Sequence, residues 1–141
     1  MRFTSMFRYG LRALAVLADH YGGKPISAKE ISMREDISPS FLEQLLAQLR
    51  RNGIIEGVRG PGGGFRLRKH PSEISISEIV EALEGPVLVA KCISCEDNPS
   101  SQRCSRYEDC SAVPLLKNLE RDFAKILASY NLSDLQITES G

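Results

Sequence analysis

Apolar side chains at Phe7, Leu11, Leu14, Leu17/Ala18 and Tyr21 recur at spacings of three and four, which marks one face of a helix. The run "GGKP" at 22–25 stops it. The tetrad "SAKE" (Ser27 to Glu30) reads as a capping box, with Ser27 capping the backbone and Glu30 reaching back, and it opens a short helix through about Glu35. A third helix starts at Ser38, a good N-cap, with Pro39 in its first turn and Gly53 as a left-handed stop. Leu42, Leu45, Leu46 and Leu49 form its buried stripe. Helix, short helix, brief turn and capped helix is helix-turn-helix spacing.

The pattern then changes period. In "IIEGVRGPGGGFRLRK", Ile54–Val58 and Phe65–Leu67 read as two short strands around "RGPGGG", whose residues permit unusual backbone angles. A hairpin placed directly after a helix-turn-helix is a wing. "SISE" (Ser75 to Glu78) is a second capping box, opening a helix that Gly85 ends. Near the C-terminus, Leu116, Leu119, Phe123, Ile126 and Tyr130 alternate spacings of three and four, an a/d seam suited to packing on a partner helix. The seam covers only about two heptads, too little for an isolated zipper, so support from the N-terminal helix is needed. The predicted fold class is mainly α with a small β-hairpin. Its parts are a winged helix-turn-helix over 1–85, a cysteine-rich loop over 86–111, a dimerisation helix over 112–130 and a tail over 131–141.

Composition fits one ordinary domain: 141 residues, 42% apolar and 26% charged. No run of about 18 apolar residues is present, so no membrane span is expected. The N-terminal segment carries Arg12 and lacks a secretory signal's uncharged core and cleavage site, so the expected compartment is the cytoplasm. Net charge is zero but unevenly spread. Residues 1–70 hold 12 Lys and Arg against 6 Asp and Glu, and residues 71–141 hold 6 against 12. A basic first half beside an acidic second half points to nucleic-acid contact at one end.

In a helix-turn-helix the N-terminal part of the second helix meets base edges. Here that part is "SPSFLEQ", where Ser38, Ser40, Glu43 and Gln44 are the polar groups. Gln pairs bidentately with adenine, Ser bonds to several edges, and Glu accepts from cytosine while repelling phosphate. Arg50 and Arg51, at the far end, suit phosphates. The wing carries Arg59, next to Gly60, for a narrow minor groove, with Arg66, Arg68 and Lys69 as phosphate contacts. The bland alternative is a merely solvated helix face. A nucleotide-binding reading of "GPGGG" fails because no Lys-Ser/Thr follows and no helix opens there.

All four cysteines lie in "KCISCEDNPSSQRCSRYEDC", with Cys92 and Cys95 spaced C-x2-C, then Cys104 and Cys110. Soft thiolates suit iron–sulfur clusters, zinc and Cu(I). By count alone, an all-cysteine zinc site, an iron–sulfur cluster and thiol redox chemistry all remain open. His20 and His70 read as surface or capping residues, and Asp19 has no paired carboxylate. No catalytic constellation is evident, so no enzyme is expected.

The blocks "MRFTSMFRYGLRAL", "SPSFLEQLLAQLRRNGIIEGVRGPGGGFRL" and "ISISEIVEALEGP" resemble the winged-helix bacterial regulators typified by IscR, NsrR and CymR, over nearly the whole chain. The resemblance implies a homodimeric transcription factor bound to a palindromic double-stranded operator. It places base contacts at Ser40, Glu43 and Gln44 and a minor-groove contact at Arg59. Many such regulators hold an iron–sulfur cluster on three cysteines, which Cys95, Cys104 and Cys110 match by position. The implied cofactor is a cluster, 2Fe-2S first, with 4Fe-4S and zinc as alternatives. Two departures concern the fourth ligand. A branch with His three residues after the last cysteine meets Val113 here, and a branch using an N-terminal acid of the partner subunit meets Arg8. Cys92 is then the local candidate. The expected function is a transcriptional regulator, a repressor in the first instance, sensing iron–sulfur, redox or nitric oxide status. The alternatives are a zinc-stapled or cluster-free thiol regulator, typified by the CymR branch, or a winged-helix protein-interaction module.

Overall fold

The structure, a computed structural model, describes residues 2–87, 89 and 108–135. Its elements run α1 (Ser5–Asp19), α2 (Ala28–Glu35), α3 (Pro39–Arg51), β1 (Ile55–Val58), β2 (Gly64–Leu67), α4 (Ile76–Glu84) and α5 (Ala112–Ser129). This is a mainly helical fold with one antiparallel hairpin.

Local chemistry sets the helix starts. The side chains of Thr4, Ser27, Ser38 and Ser75 each accept a hydrogen bond from a backbone N–H in the first turn of α1, α2, α3 and α4. Ser75 and Glu78 form the full reciprocal box. At α2 the box is only half made: Ser27 caps Glu30 N–H, but the Glu30 carboxylate pairs with Arg34 at 2.9 Å instead of reaching back. A cationic partner one turn along, oriented favourably at i, i+4, outcompetes a single backbone amide. Helix α1 also ends sooner than its apolar spacing implies. Tyr21 lies beyond it, exposed, with its ring edge-on to His70 at 5.1 Å. His70 in turn caps the short 3-10 turn Pro71–Glu73.

The core lies where α1, α3, α4 and the hairpin meet. Leu14, Leu42, Leu45, Leu49 and Ile79 are fully buried there, and Ile26, Ile55 and Leu67 seal the wing side. The hairpin pairs Ile55 with Leu67 and Val58 with Gly64. It is held to the helices by a bridge from Ile26 to Phe65, with bonds of 3.0 and 2.7 Å in both directions. Gly64 makes this approach possible: at φ +157° a Cβ there would run into the backbone of Ile26 and Ser27.

A second bridge ties the end of α5 back to the winged helix. Ile76 N–H donates to Tyr130 O and Leu132 N–H to Ile74 O, each at 2.9 Å, and Leu132 is buried. Helix α5 packs on α4 through Leu127 and Phe123, whose ring lies half-buried against the core.

Candidate nucleic-acid interface and cysteine segment

Three elements converge on the N-terminal end of α3. Phe41 on its α1 flank meets the Tyr9 ring edge-on at 5.7 Å. Arg12 lies over Tyr9 at 5.1 Å, donates to the Glu35 carbonyl and pairs with the Glu35 carboxylate at 3.7 Å. Asp36 follows in the left-handed region at φ 53°, turning the chain from α2 into α3. The turn of the helix-turn-helix is therefore fixed from α1 by the Arg12 guanidinium and the Tyr9 ring, which meets Phe41 of α3. Periodicity marks Leu11 and Leu14, but it says nothing of this lateral contact. The one available signal was Arg12, a charged residue directly beside the apolar stripe of Leu11 and Leu14.

With its flanks so held, α3 turns Ser40, Glu43 and Gln44 to solvent, and none of the three side chains bonds to another described residue. Ser38 is exposed but committed as an acceptor, from Phe41 N–H at 3.4 Å, which leaves its hydroxyl proton to donate. Arg50 and Arg51 are exposed in the last turn, where the helix dipole favours them and where they extend the polar face.

The wing tip holds Arg59 exposed and unpaired among the described residues. Its neighbour Gly60, at φ +97°, accepts from Gly63 N–H at 2.9 Å, closing a tight loop that only small residues fit. Two of the sequence-nominated cations are already engaged. Arg66 Nε donates to Glu56 across the hairpin at 2.6 Å, and Lys69 Nζ to Glu78 at 3.1 Å. Any phosphate must compete with those carboxylates, whereas Arg59, Arg50, Arg51 and Arg68 pay no such exchange. Partial burial pushes the Glu78 carboxyl up, but bonds from Ser75 and the Lys69 ammonium outweigh it and hold the group below its usual range.

One exposed side chain at this edge had no role in the sequence reading. Met33 is 74% exposed, the most of any large apolar residue described. Only Ile31 of α2 is buried. A methionine two residues on from the sole core position of a short helix was the signal available.

Of the cysteines, Cys92, Cys95 and Cys104 lie outside the described residues. Cys110 is half-buried at the start of α5, where its carbonyl accepts from Val113 N–H at 3.3 Å. Val113 is buried, and Arg8 donates to Ser5 Oγ at 3.3 Å. No group of three metal-ligating side chains forms among the described residues. The expected α5 seam divides into two faces. Leu116 and Phe123 are half-buried on the protein's own side, while Leu119, Ile126 and Tyr130 are exposed. Leu115 joins the exposed set, so the free stripe keeps Leu119, Ile126 and Tyr130 and takes Leu115 in place of Leu116. No described helix is long and apolar enough to cross a membrane.

Residues 3–137 match the family model Rrf2, described as an iron-dependent transcriptional regulator. The chain is 40% identical over 135 residues to the HTH-type transcriptional regulator IscR of Serratia proteamaculans, and 36% identical over 135 residues to that of Photorhabdus laumondii. Each alignment covers 96% of this chain and 79% of the relative. Among solved structures, T. potens IscR superposes with a TM-score of 0.72 at 30% identity, covering 95% of this chain and 85% of that one. CymR, the global cysteine regulator of B. subtilis, superposes with a TM-score of 0.71 at 28% identity, covering 95% of both.

Proposed function

Because the chain belongs to the Rrf2 family of transcriptional regulators, we propose that it is a homodimeric, sequence-specific DNA-binding regulator whose cysteine segment holds an iron–sulfur cluster. The observation that carries the DNA half is the uncommitted polar set Ser40, Glu43 and Gln44 at the start of a helix braced on both flanks. A recognition helix needs free donors and acceptors on a rigid support. In this reading Arg59 enters the minor groove, and Ser38, Arg50, Arg51 and Arg66 position the backbone. A homodimer places two such helices on a palindromic operator.

The donor set suits a soft metal group: four thiols within 19 residues, one of them, Cys110, directly before α5. Cys95, Cys104 and Cys110 are the proposed ligands, with Cys92 as the fourth, since Val113 has no donor atom and Arg8 is cationic. When bound, an iron–sulfur cluster supplies thiolate-held iron that responds to oxidants and nitric oxide. What the chain does with that is mechanical. Ligation by Cys110 fixes the start of α5, while the Ile74–Ile76 and Tyr130–Leu132 bridge fixes its end to the DNA-reading domain. Exposed Leu115, Leu119 and Ile126 offer α5 to a second copy. A change at the first turn of α5 thereby alters how the two recognition helices are spaced, a two-state element that cluster state biases.

The test is anaerobic purification followed by an absorption spectrum and iron, sulfide and zinc analysis. Charge-transfer bands with matched iron and sulfide support the reading, and a colourless zinc protein overturns its sensor half. A cluster-free, thiol-based regulator is the second reading, favoured by the likeness to CymR. Full DNA affinity of metal-free protein that responds only to thiol oxidation would select it.

A further inference from the structure

Beside the proposed recognition face, α2 and α3 enclose a notch of about 430 Å³. Its floor is apolar, made by Ala28, Pro39 and the buried Leu42, and its wall is the exposed Met33. Its polar lining is Lys29 and Ser32 from α2 and Glu43 from α3. Glu43 therefore belongs to two surfaces at once: the notch and the base-reading edge with Ser40 and Gln44. An exposed, adaptable thioether beside an apolar floor offers a surface that an apolar group on the nucleic acid can cover.

We infer that the notch receives the 5-methyl group of a thymine next to the base read by Glu43, with Met33 as its specificity-determining contact. This rests on the reading that α3 lies in the major groove. There, the thymine methyl is the one apolar group that base edges present. Charge selects the same occupant. Lys29 can meet the flanking phosphate, and Glu43, which repels phosphate, accepts from a cytosine amino group, so base and not backbone approaches Glu43. Met33 is unbranched and polarizable, which lets it close over a methyl group without a preformed cavity of matching shape. Its exposure also means that its removal leaves the protein core untouched.

The experiment replaces thymine by uracil, which deletes the methyl group alone. Duplexes selected from a random pool by the purified dimeric protein are resynthesised with single thymine-to-uracil changes, and affinities are read by fluorescence anisotropy. For the wild type, one position per half-site is expected to lose about fourfold, the worth of one buried methyl group. In Met33→Ala, with an unchanged melting curve, that loss disappears, while Met33→Leu keeps it. Arg59→Ala binds more weakly throughout but retains the fourfold uracil penalty, because it acts in another groove. An equal penalty in wild type and Met33→Ala, or no penalty at any thymine, overturns the inference while leaving the DNA-reading proposal standing. Failure to enrich any duplex overturns both.

Discussion

The winged helix and α5 treat their apolar residues in opposite ways. In the first, Leu14, Leu42, Leu45 and Leu49 are 0% exposed, and the large apolar residues left outside are scattered at Phe3, Tyr21 and Met33. In α5 only Val113 and Leu127 are buried, while Leu115, Leu119 and Ile126 stand 61%, 48% and 55% exposed along one face. Both regions have strongly amphipathic helices, so periodicity does not separate them. The difference is where the partner surface lies. The winged helix closes on its own side chains, whereas α5 has one face on α4 and another left uncovered among the described residues, the face proposed above for a second copy. In the proposed function, DNA reading belongs to the closed domain, and signal response to the element left open for assembly.

That contrast is open to direct attack. The largest expected effect is on the cysteine side: Cys95→Ala, Cys104→Ala or Cys110→Ala abolishes cluster loading, read by absorbance and iron content. Cluster retention in Cys92→Ala would demote that thiol to a bystander. Next comes Leu45→Ala, which removes a fully buried side chain and is expected to cost about 2–5 kcal/mol in denaturant titration. Leu119→Asp, on the free face of α5, is expected to leave the fold near wild type but shift sedimentation toward monomer. An unchanged dimer would break the assignment of that face. Arg59→Ala should lower the slope of log affinity against log salt by about one if it meets phosphate charge, with thermal stability unaltered.

The smallest effect concerns Glu78. Its carboxyl is held below the ordinary value of 4.5 in the folded protein. A depressed folded value contributes stability that is fully present above the unfolded value and lost as pH falls through the folded one. Glu78→Gln, which keeps a capping carbonyl for Ser75 N–H, should therefore lose a small increment of stability at neutral pH and none in acid, flattening the acid limb slightly. The pair with Lys69 is exposed, so the change is small.

What the sequence made legible was local. Ser38, Ser75 and Gly53 act through bonds and angles within a few residues, and the hairpin boundaries follow from a period change beside glycines. The losses came where a distant group decides. Ile26 paired with Phe65 across about forty residues of chain, while the turn of Glu30 to Arg34 is a local choice between two nearby partners. The bridge from Ser75 to Asn131, which anchors α5, has no periodic signal at all. The α5 stripe was visible as apolar spacing, but its division between an inner face with Phe123 and an outer one with Leu119 depends on where α4 sits. The exposure of Ser40, Glu43 and Gln44 was legible because the Ser38 cap and the leucine stripe fix the phase of α3. That of Met33 was not, because α2 is short and has a single buried position to set its phase.

The central claim is that the cysteine segment and α5 govern a reader complete in itself. The most direct measurement is operator affinity of the dimer, cluster-loaded against cluster-free, on one selected duplex at fixed salt. Affinity or site preference is expected to differ between the two forms, and the difference to vanish in Cys110→Ala. Identical affinity and identical preference in both forms would contradict it.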